Sequence, residues 1–355
     1  MESYCDKDIK EKVKNKSMKA IYLQSPGNIK VEQVAYPCRK ENEVLIKVRS
    51  LGICGSDIGA YAGTNPLVSY PRIIGHEVAG EVLEVPKNET ALAVGDRIVL
   101  EPYVYCGKCY PCKNSRTNCC ENLTVIGVHI DGAMSEYFSH PRHLVHKVPD
   151  NMPWNLLAMV EPLTISMHAV KRSRVKKGEH VVITGAGPIG LLAAQYALTL
   201  EAVPIVVDPV VERLEFAKQL GAKHSVNPIK VDAVGAIKSI TAGKMAEVVI
   251  EASGSAAAIR SSVDYVAYSG RIALVGWPKN EISLPTALFT KKELDIVGSR
   301  NSFRAFPESI RLIAESKVDV ASVITKTITF EELPDQVRDI SVRPGNFLKV
   351  VALTK

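Results

Sequence analysis

HVVITGAGPIGLLAAQYALTLEAVPIVVD, residues 180–208, is the stretch that decides the fold of this chain. An apolar, strand-like run ends at a glycine-rich turn, an apolar helix-like run follows, and a second apolar run ends at an acidic residue. The turn has the spacing G-x-G-x-x-G at Gly185, Gly187 and Gly190. A strand, this turn and a helix in succession are the context in which the spacing predicts a dinucleotide-binding unit.

Each glycine has its own physical task in this interpretation. Gly185 permits a tight turn, Gly187 lets the backbone approach a pyrophosphate, and Gly190 allows close packing of helix on strand. The helix N-terminus stabilises the phosphate charge. Asp208 is placed to accept a hydrogen bond from a ribose 2′-hydroxyl and would repel a 2′-phosphate, so the pattern favours NAD over NADP. Arg213 carries a positive charge that could attract a 2′-phosphate and so oppose the preference for NAD. Packing near the adenine or facing solvent is the more ordinary interpretation of this residue.

Strands and helices alternate around this unit, over residues 156–298, and such alternation predicts a parallel sheet. Residues 18–155 read as short strands broken by Gly and Pro, and residues 299–355 are mixed and end in a strand-like run. The sequence therefore predicts an α/β protein in which a β-rich domain (18–155 and 299–355) accompanies a doubly wound parallel-sheet domain (156–298). The charged and polar residues 1–17 are expected to be a flexible extension, and Met18 is a candidate original start.

Composition limits the classes of function. The 355 residues carry a formal net charge of +6 without a long basic run, which argues against nucleic-acid binding. No apolar run reaches the ~18 residues needed to span a bilayer, and the N-terminus lacks an apolar signal-peptide core. We therefore expect a cytoplasmic protein without nucleic-acid or membrane partners. In a reducing compartment, clustered cysteines are more often metal ligands than disulfides.

Five of the eight cysteines lie in CGKCYPCKNSRTNCC, residues 106–120. The four that fit a metal-binding spacing are Cys106, Cys109, Cys112 and Cys120. Four thiolates leave no open coordination position, so the pattern predicts a structural zinc site. Iron–sulfur binding is the main alternative, but the loop lacks the further cysteine spacings of ferredoxins. Cys119 is left over and is expected to be an ordinary thiol.

A second set of candidate ligands is spread along the chain. Cys54 and Ser56 lie in GICGSD, His76 and Glu77 in IIGHE, and Glu161 in VEPLTIS. One thiolate, one imidazole and one carboxylate leave a fourth position open on zinc, as catalytic sites do. Taken singly, a His on a turn is usually structural and a Cys is usually a small buried side chain. The dinucleotide unit and the four-cysteine loop together raise the odds that Cys54, His76 and Glu161 bind a catalytic zinc.

These segments together resemble the zinc-containing medium-chain dehydrogenase/reductase family. GICGSD, GHEVAGEV, GDRIVLEPYVYCGKCYPC, EPLTISMHAV and GAGPIG carry the resemblance, which covers nearly the whole chain beyond residue 18. Within the family the chain resembles the polyol branch of sorbitol, threonine and sugar-acid dehydrogenases. YPRIIGHE, SRTNCCE, VIGVHIDGAMSEY, EPLTISMHAVKR and IVGSRN make it look most like the L-galactonate or L-gulonate 5-dehydrogenase type.

The resemblance implies a GroES-like catalytic domain, a Rossmann domain, NAD and two zinc ions per chain, in a homodimer or homotetramer. It implies oxidation of a secondary alcohol in carbohydrate metabolism, at C5 of a sugar acid. Polyols, L-threonine and butanediol are the alternative substrates. Cys54, His76 and Glu161 carry over as catalytic zinc ligands. Glu77 carries over as an exchangeable ligand and Ser56 as the hydroxyl that passes on the substrate proton.

Cofactor and substrate positions carry over from the resemblance as well. The positions that match cofactor contacts are Gly185, Gly187, Pro188, Ile189, Gly190, Asp208, Arg213, Val275, Ser299 and Arg300. For a sugar-acid carboxylate, Arg300 is the first candidate because a guanidinium can form two parallel hydrogen bonds with it. A cofactor or backbone contact is an equal alternative for Arg300. Asn301, Arg304 and His129 are further candidates, with an ordinary loop hydrogen bond as the alternative for His129.

One position departs from many relatives. They carry a histidine that ends a proton relay, and this chain has Gly59 there. The proton is therefore expected to leave by water or through the ribose hydroxyls. The histidines of SHPRHLVH, namely His140, His143 and His146, are expected to be surface or interdomain residues, because the other sites supply enough metal ligands.

Overall fold

The computed structural model describes residues 16–278 and 280–355. The extension expected over residues 1–17 lies outside these ranges except for its last two residues. Ser17 pairs with Ala35 in an antiparallel ladder, so residue 17 already belongs to the folded sheet rather than to an extension.

The chain forms two compact units. The first comprises the described residues up to Glu161 with Phe306–Ala314 and Ile324–Lys355, and the second comprises Pro162–Ala305 with Glu315–Val323. The strands, in chain order, are β1 (Ser17–Ser25), β2 (Asn28–Ala35), β3 (Glu43–Gly52), β4 (Arg72–Ile73), β5 (Glu77–Glu84), β6 (Arg97–Leu100), β7 (Tyr103–Val104), β8 (Thr124–Val125), β9 (Tyr137–Pro141), β10 (Val145–Lys147), β11 (His180–Thr184), β12 (Val203–Val207), β13 (His224–Val226), β14 (Ala246–Glu251), β15 (Val266–Leu274), β16 (Asp295–Gly298), β17 (Ile324–Thr329) and β18 (Lys349–Leu353).

The α-helices are four to 13 residues long. In chain order they are α1 (Gly55–Tyr61), α2 (Tyr110–Lys113), α3 (Trp154–Leu157), α4 (Val160–Arg172), α5 (Pro188–Thr199), α6 (Val211–Gln219), α7 (Ala233–Ile240), α8 (Ala256–Tyr265), α9 (Thr286–Lys292), α10 (Phe306–Ala314) and α11 (Leu333–Val342). No helix among the described residues is both long enough and apolar enough to cross a membrane.

The first unit is β-rich. Its largest sheet has the order β10-β6-β5-β3-β18-β17, with β9 also pairing with β3, and smaller sheets have the order β2-β1-β4 and β7-β8. Alternating side chains of β3 and β5 enter a core that includes Ile46, Val48, Val78 and Val82. The central position of β3 gives its last residues fixed neighbours on both sides, β5 and β18, and this positions the candidate site.

The second unit contains one parallel sheet of order β13-β12-β11-β14-β15-β16. Its three central strands, β12, β11 and β14, are almost continuously buried, which is the pattern expected where both faces of a parallel sheet are covered. The strand order reverses between β11 and β14, and ligands bind at such switch points outside the carboxyl ends of the strands. The prediction of an α/β protein with a doubly wound parallel sheet is confirmed.

One element boundary differs from the sequence expectation. In the alternation of strands and helices the segment AAIRSSVDYVAYSG takes a helix position, but α8 ends at Tyr265 and β15 starts at Val266 without a connecting loop. Val266 is fully buried and pairs with Ala246 of β14. Strand pairing and burial of a β-branched side chain therefore override the helical pattern at that point.

Candidate metal and cofactor sites

The cysteine-rich loop is built on a turn and a short helix. Cys106 and Cys109 flank Gly107, whose φ of +71° lies in the left-handed region that favours glycine. Cys109 caps the N-terminus of α2 and Cys112 lies within that helix, while Cys120 follows a short 3-10 helix. The four sulfur atoms lie within 4.8 Å of one another, and the four cysteines are free thiols.

This loop has the donor set of a closed metal site. Two backbone N–H donors in the loop lower the pKa of Cys106 to about 6, whereas burial and neighbouring sulfurs raise the pKa of Cys112 to about 12. Crowded thiols that oppose one another's ionisation would be satisfied by a divalent cation that binds sulfur. Cys119 lies outside the group of four, and its Sγ accepts a hydrogen bond from Arg116 at 3.6 Å.

Strand register assembles the second cluster. β3 and β5 are antiparallel, and Gly52 at the end of β3 lies opposite Glu77 at the start of β5. Cys54 comes two residues after Gly52 and His76 comes directly before Glu77, so the paired strands bring both residues to the same end. Ligand atoms of Cys54, His76 and Glu77 lie within 4.8 Å of one another.

Asp57 of α1 connects the two segments of this cluster. Its Oδ2 accepts a hydrogen bond from the backbone N–H of Cys54 at 2.9 Å, and its Oδ1 accepts one from Gly75 at 3.2 Å. Burial raises the pKa of Asp57, and these two donors partly offset that effect. Gly75 has a φ of +96°, and a Cβ there would lie 2.3 Å from Cγ of Met134, so glycine is required directly before His76.

His76 is buried among acidic groups. Burial acts to lower its pKa, but Cys54, Asp57 and Glu161 outweigh burial, and the pKa of His76 lies well above its ordinary value. Within the described chain its Nδ1 has no hydrogen-bond partner, the nearest Asp57 oxygen being 3.9 Å away. A buried imidazole surrounded by a thiol and carboxyl groups marks a place where a positive charge is favoured, so these side chains fit a metal ion.

Glu77 of this cluster and the nearby Glu161 are both buried carboxylates, and their contacts differ. Glu77 contacts the ammonium of Lys349 from β18. Glu161, in the first turn of α4, accepts a short hydrogen bond from the phenol of Tyr103. Burial raises the pKa of Glu161 to about 7. Glu161 lies outside the 4.8 Å group but close enough to raise the pKa of His76.

Ser56 and Gly59 lie on α1, after Cys54. The buried hydroxyl of Ser56 has no hydrogen-bond partner among the described residues, so it is available to a ligand. A Cβ added at Gly59 would meet Asn65 at 3.5 Å and Thr64 at 3.7 Å, which are ordinary contacts. Nothing steric at the first side-chain atom therefore requires glycine at position 59.

The glycine turn follows β11 and leads into α5. Gly185 has a φ of +96°, and a Cβ at Gly190 would lie 1.8 Å from the carbonyl oxygen of Gly185, so close packing requires glycine at 190. A Cβ at Gly187 would meet nothing within 4 Å. Gly187 caps the N-terminus of α5, with Pro188 and Ile189 as its first residues. The turn therefore presents an open backbone surface at a helix N-terminus, where anions bind.

Asp208 lies beside this turn because β11 and β12 pair Thr184 with Val207. Its Oδ2 accepts the backbone N–H of Ala186 at 2.7 Å and its Oδ1 accepts that of Val210 at 2.8 Å. Each carboxylate oxygen has a second lone pair for a ligand donor. Asp208 is thus fixed next to the open turn. Arg213 follows on α6.

The carboxyl ends of β15 and β16 place Val275 next to Ser299. Leu274 pairs with Gly298, and the N–H of Ser299 donates to the carbonyl oxygen of Leu274 at 2.9 Å. Ser299 has a buried hydroxyl without a hydrogen-bond partner in the described part of the chain. Trp277 is exposed nearby in sequence.

The candidate substrate residues have unequal surroundings. Arg300 and Arg304 are exposed, and Asn301 has a φ of +51°. Nδ1 of His129 accepts a hydrogen bond from the backbone N–H of Val125 at 3.1 Å. The loop hydrogen bond considered for His129 is therefore present, and a substrate contact stays a prediction.

The three histidines of SHPRHLVH differ in burial: His140 is buried rather than at the surface, His146 is half-buried and His143 is exposed. Nε2 of His140 lies 2.8 Å from the carbonyl oxygen of Glu101, and Nε2 of His146 lies 2.9 Å from a carboxylate oxygen of Glu101. The ring of His143 packs edge-on against Tyr105. None of them joins a metal-binding group in residues 16–278 and 280–355.

Sequence reasoning missed Asp57, Tyr103 and Lys349. Asp57 had a local signal, since an acidic residue three positions after a helix cap often bonds back to the cap backbone. A charged residue inside the apolar run FLKVVAL marks Lys349. Tyr103 carries no such signal, because aromatic residues are common in strands.

Two family models match the chain. The alcohol dehydrogenase GroES-like domain matches residues 40–150, and the zinc-binding dehydrogenase model matches residues 188–315.

Similar proteins cover nearly the whole chain. An uncharacterized zinc-type alcohol dehydrogenase-like protein of Haemophilus influenzae is 54% identical over 95% of this chain and 98% of its own. L-galactonate-5-dehydrogenase of Escherichia coli is 37% identical over 90% of this chain and 94% of its own. Sorbitol dehydrogenase of Bacillus subtilis is 34% identical over 94% of this chain and 97% of its own.

Solved structures with the same fold hold either nicotinamide cofactor. A short chain alcohol dehydrogenase from E. coli CFT073, complexed with NADH, has a TM-score of 0.89 at 31% identity, covering 95% of this chain and 99% of that one. A putative zinc-binding dehydrogenase from Sinorhizobium meliloti 1021, bound to NADP, has a TM-score of 0.89 at 30% identity, covering 96% and 100%.

Proposed function

The chain belongs to the zinc-containing medium-chain alcohol dehydrogenase family, and from this premise we propose that it oxidises C5 of a sugar acid, such as L-galactonate or L-gulonate, with NAD. Family membership confirms the predicted GroES-like and Rossmann-type fold and the enzyme class, a dehydrogenase acting on CH–OH donors. The convergence of Cys54, His76 and buried carboxylates carries the proposal. Similarity to L-galactonate-5-dehydrogenase supports the substrate class.

Two zinc ions per chain are part of this proposal. The four thiols of the loop from Cys106 to Cys120 would hold one ion in closed coordination. Cys54, His76 and a carboxylate would hold the other with an open position. When bound there, zinc supplies Lewis acidity that lowers the pKa of a substrate hydroxyl.

The residues around the second site have the remaining tasks. Ser56 accepts the hydroxyl proton of the substrate, because its hydroxyl is buried close in sequence to Cys54 and lacks a partner in the described chain. Gly59 has no side chain that could accept the proton next, so the proton passes to water or to the cofactor ribose.

The cofactor in this proposal is NAD rather than NADP. The pyrophosphate binds at Gly187 and the N-terminus of α5, and Asp208 accepts a hydrogen bond from the ribose 2′-hydroxyl. The two backbone donors that hold Asp208 keep its carboxylate in place, where it would repel a 2′-phosphate. Val275, Ser299 and Arg300 complete the cofactor contacts on this interpretation.

A polyol is the second candidate substrate, and the 34% identity to sorbitol dehydrogenase favours it. A carboxylate on the substrate separates the two candidates, because Arg300 can form two parallel hydrogen bonds with it and a polyol offers no such group. Asn301 and His129 are the further substrate contacts proposed.

We also propose a homo-oligomer, which light scattering would test.

A screen of NAD reduction tests the proposal. Hexonates, hexitols, L-threonine and small diols are compared, with and without a chelator, for wild type, Arg300→Gln and the surface control Arg260→Gln. We expect hexonates to be oxidised best, and Arg300→Gln to raise KM for hexonates by roughly 10–100-fold, the value of a charge-assisted hydrogen bond of about 1.5–3 kcal/mol. Faster oxidation of hexitols, with KM indifferent to Arg300, would establish the polyol alternative instead.

A further inference from the structure

A buried lysine in the last strand adjoins the Cys54 cluster. The side chain of Lys349 is 4% exposed. Its Nζ donates to both carboxylate oxygens of Glu77, at 2.6 and 2.8 Å, and to the carbonyl oxygen of Ile53 at 3.1 Å. An ammonium has three donors, and here each has an acceptor. Lysine is almost never buried unless it is paired in this way.

These contacts join the two segments that carry Cys54 and His76. Ile53 directly precedes Cys54, and Glu77 directly follows His76. The ammonium therefore ties the backbone beside the thiol to the side chain beside the imidazole. Asp57 connects the same two segments through other backbone groups, so their connection does not depend on Lys349 alone.

Shape as well as charge confines Glu77. Gly52 lies opposite it in the β3–β5 ladder. A Cβ at Gly52 would lie 1.9 Å from Oε2 of Glu77. The carboxylate therefore occupies space that exists because residue 52 has no side chain.

Binding a metal ion through Glu77 would cost more free energy than binding it through Glu161. Moving Glu77 onto a metal ion would strip Lys349 of its counter-ion, and breaking a buried ion pair costs roughly 3–5 kcal/mol. Glu161, by contrast, accepts a hydrogen bond from the neutral phenol of Tyr103. A phenol can keep its hydrogen bond to a carboxylate that also ligates a metal, and such bonds orient ligands.

We propose that Lys349 is a positioning residue of the metal centre, which withholds Glu77 from the ion, and that Tyr103 orients Glu161 as the carboxylate ligand. This rests on the proposed zinc site at Cys54 and His76. On distance alone Glu77 would be the carboxylate ligand, because it lies in the 4.8 Å group. Its ion pair with Lys349 makes Glu161 the favoured ligand instead.

A double-mutant cycle with a metal readout tests this assignment. The affinity of the Cys54 site for zinc is measured by competition with a chromophoric chelator, and thiolate coordination is followed by the absorption of the Co²⁺-substituted protein. The variants are Glu161→Gln, Lys349→Met and the two combined. With Lys349 present, Glu161→Gln should lower zinc affinity by roughly 10–100-fold. With Lys349→Met, Glu77 is released and the same change should cost far less.

Matched controls separate positioning from packing. Lys326→Met removes an ammonium from the neighbouring strand β17, where it donates to Gln336 at 2.6 Å, and should leave the full effect of Glu161→Gln. Tyr103→Phe should weaken zinc binding by roughly tenfold. Tyr70→Phe, which removes a 2.5 Å hydrogen bond to the carbonyl oxygen of Ala60, should not change zinc affinity.

A neutral pair covers the case in which Lys349→Met fails to fold. Glu77→Gln combined with Lys349→Met removes both buried charges, and it should keep zinc affinity close to wild type because Glu77 is not a ligand. A 10–100-fold loss in that pair, or an unchanged affinity in Glu161→Gln, would overturn the assignment.

The substrate proposal and this assignment fail in different ways. If no sugar acid is oxidised but zinc affinity follows the expected pattern, the substrate is wrong and the positioning role stands. If sugar acids are oxidised while zinc affinity ignores Glu161 and Lys349, the positioning role is wrong and the activity stands. A wild-type protein without zinc at Cys54 would refute both.

Discussion

The two candidate zinc sites of this chain are built in opposite ways. The loop from Cys106 to Cys120 gathers four sulfurs within 15 residues, using a left-handed glycine and a short helix. The other site takes Cys54 from the segment that follows β3, His76 from the residue directly before β5, and Glu161 from α4. It is surrounded by buried charges, whereas the loop depends on local backbone. One site is therefore a property of a segment, and the other is a property of the folded unit.

Because the two sites are built differently, mutations in them should have different effects. Damage to the loop should reduce the stability of the protein, because the four sulfurs cross-link that segment. Damage to the assembled site should abolish activity while the sheet that carries it remains, since the core around β3 and β5 is apolar and independent of the ligands.

Cys54→Ser should have the largest effect. Loss of a metal that polarises the reacting oxygen removes several kcal/mol of transition-state stabilisation, and we expect turnover to fall roughly ten-thousand-fold. The protein should still unfold cooperatively, with one zinc left per chain by elemental analysis. A variant that keeps both zinc ions and a near-normal rate would break the comparison.

Cys112→Ser should mainly reduce stability. It opens a four-point cross-link, and we expect about 2–5 kcal/mol of lost unfolding free energy, by analogy with loss of a native disulfide. Urea unfolding and zinc content measure the result, with Cys119→Ser as the control because Cys119 lies outside the group of four. Equal losses in the two variants would remove Cys112 from the site.

His140 is a buried histidine that belongs to neither candidate metal site, and it should make stability depend on pH. Burial lowers its pKa to about 4, against about 6.5 when unfolded. The folded chain keeps His140 neutral, so the associated stability is complete above about pH 6.5. It is lost as pH falls towards 4, by up to about 3 kcal/mol. The unfolding free energies of wild type and His140→Gln, measured in urea, should therefore converge as the pH falls from 7 to 4.5. A constant difference between the two over that range would contradict this.

Gly59→Ala should have the smallest effect, and a favourable one. Gly59 lies inside α1, and a Cβ there makes ordinary contacts, so we expect a gain of about 0.5–1 kcal/mol in unfolding free energy with unchanged zinc content. Gly75→Ala is the matched contrast, because its φ of +96° and the 2.3 Å approach to Met134 predict destabilisation. Destabilisation by Gly59→Ala would mean that α1 needs glycine there.

Much of the architecture follows from local patterns. Strand–helix alternation predicted the parallel sheet, and the glycine spacing predicted the turn that follows β11. The candidate ligands Cys54, His76 and Glu161 were selected by residue type and by resemblance. Their surroundings were beyond that reasoning, because Lys349 reaches Glu77 over 272 positions and Tyr103 reaches Glu161 over 58. No periodicity within a segment encodes such pairs.

The sequence by itself determined the sulfur donors of the cysteine loop and the glycine turn, because both depend on the spacing of a few adjacent residues and on backbone conformations that glycine allows. Only the tertiary structure decided that Gly52 lies opposite Glu77, that Lys349 neutralises that carboxylate, and that Tyr103 bonds to Glu161. Strand register and the burial of charges set those contacts, and both arise when the whole β-rich unit packs.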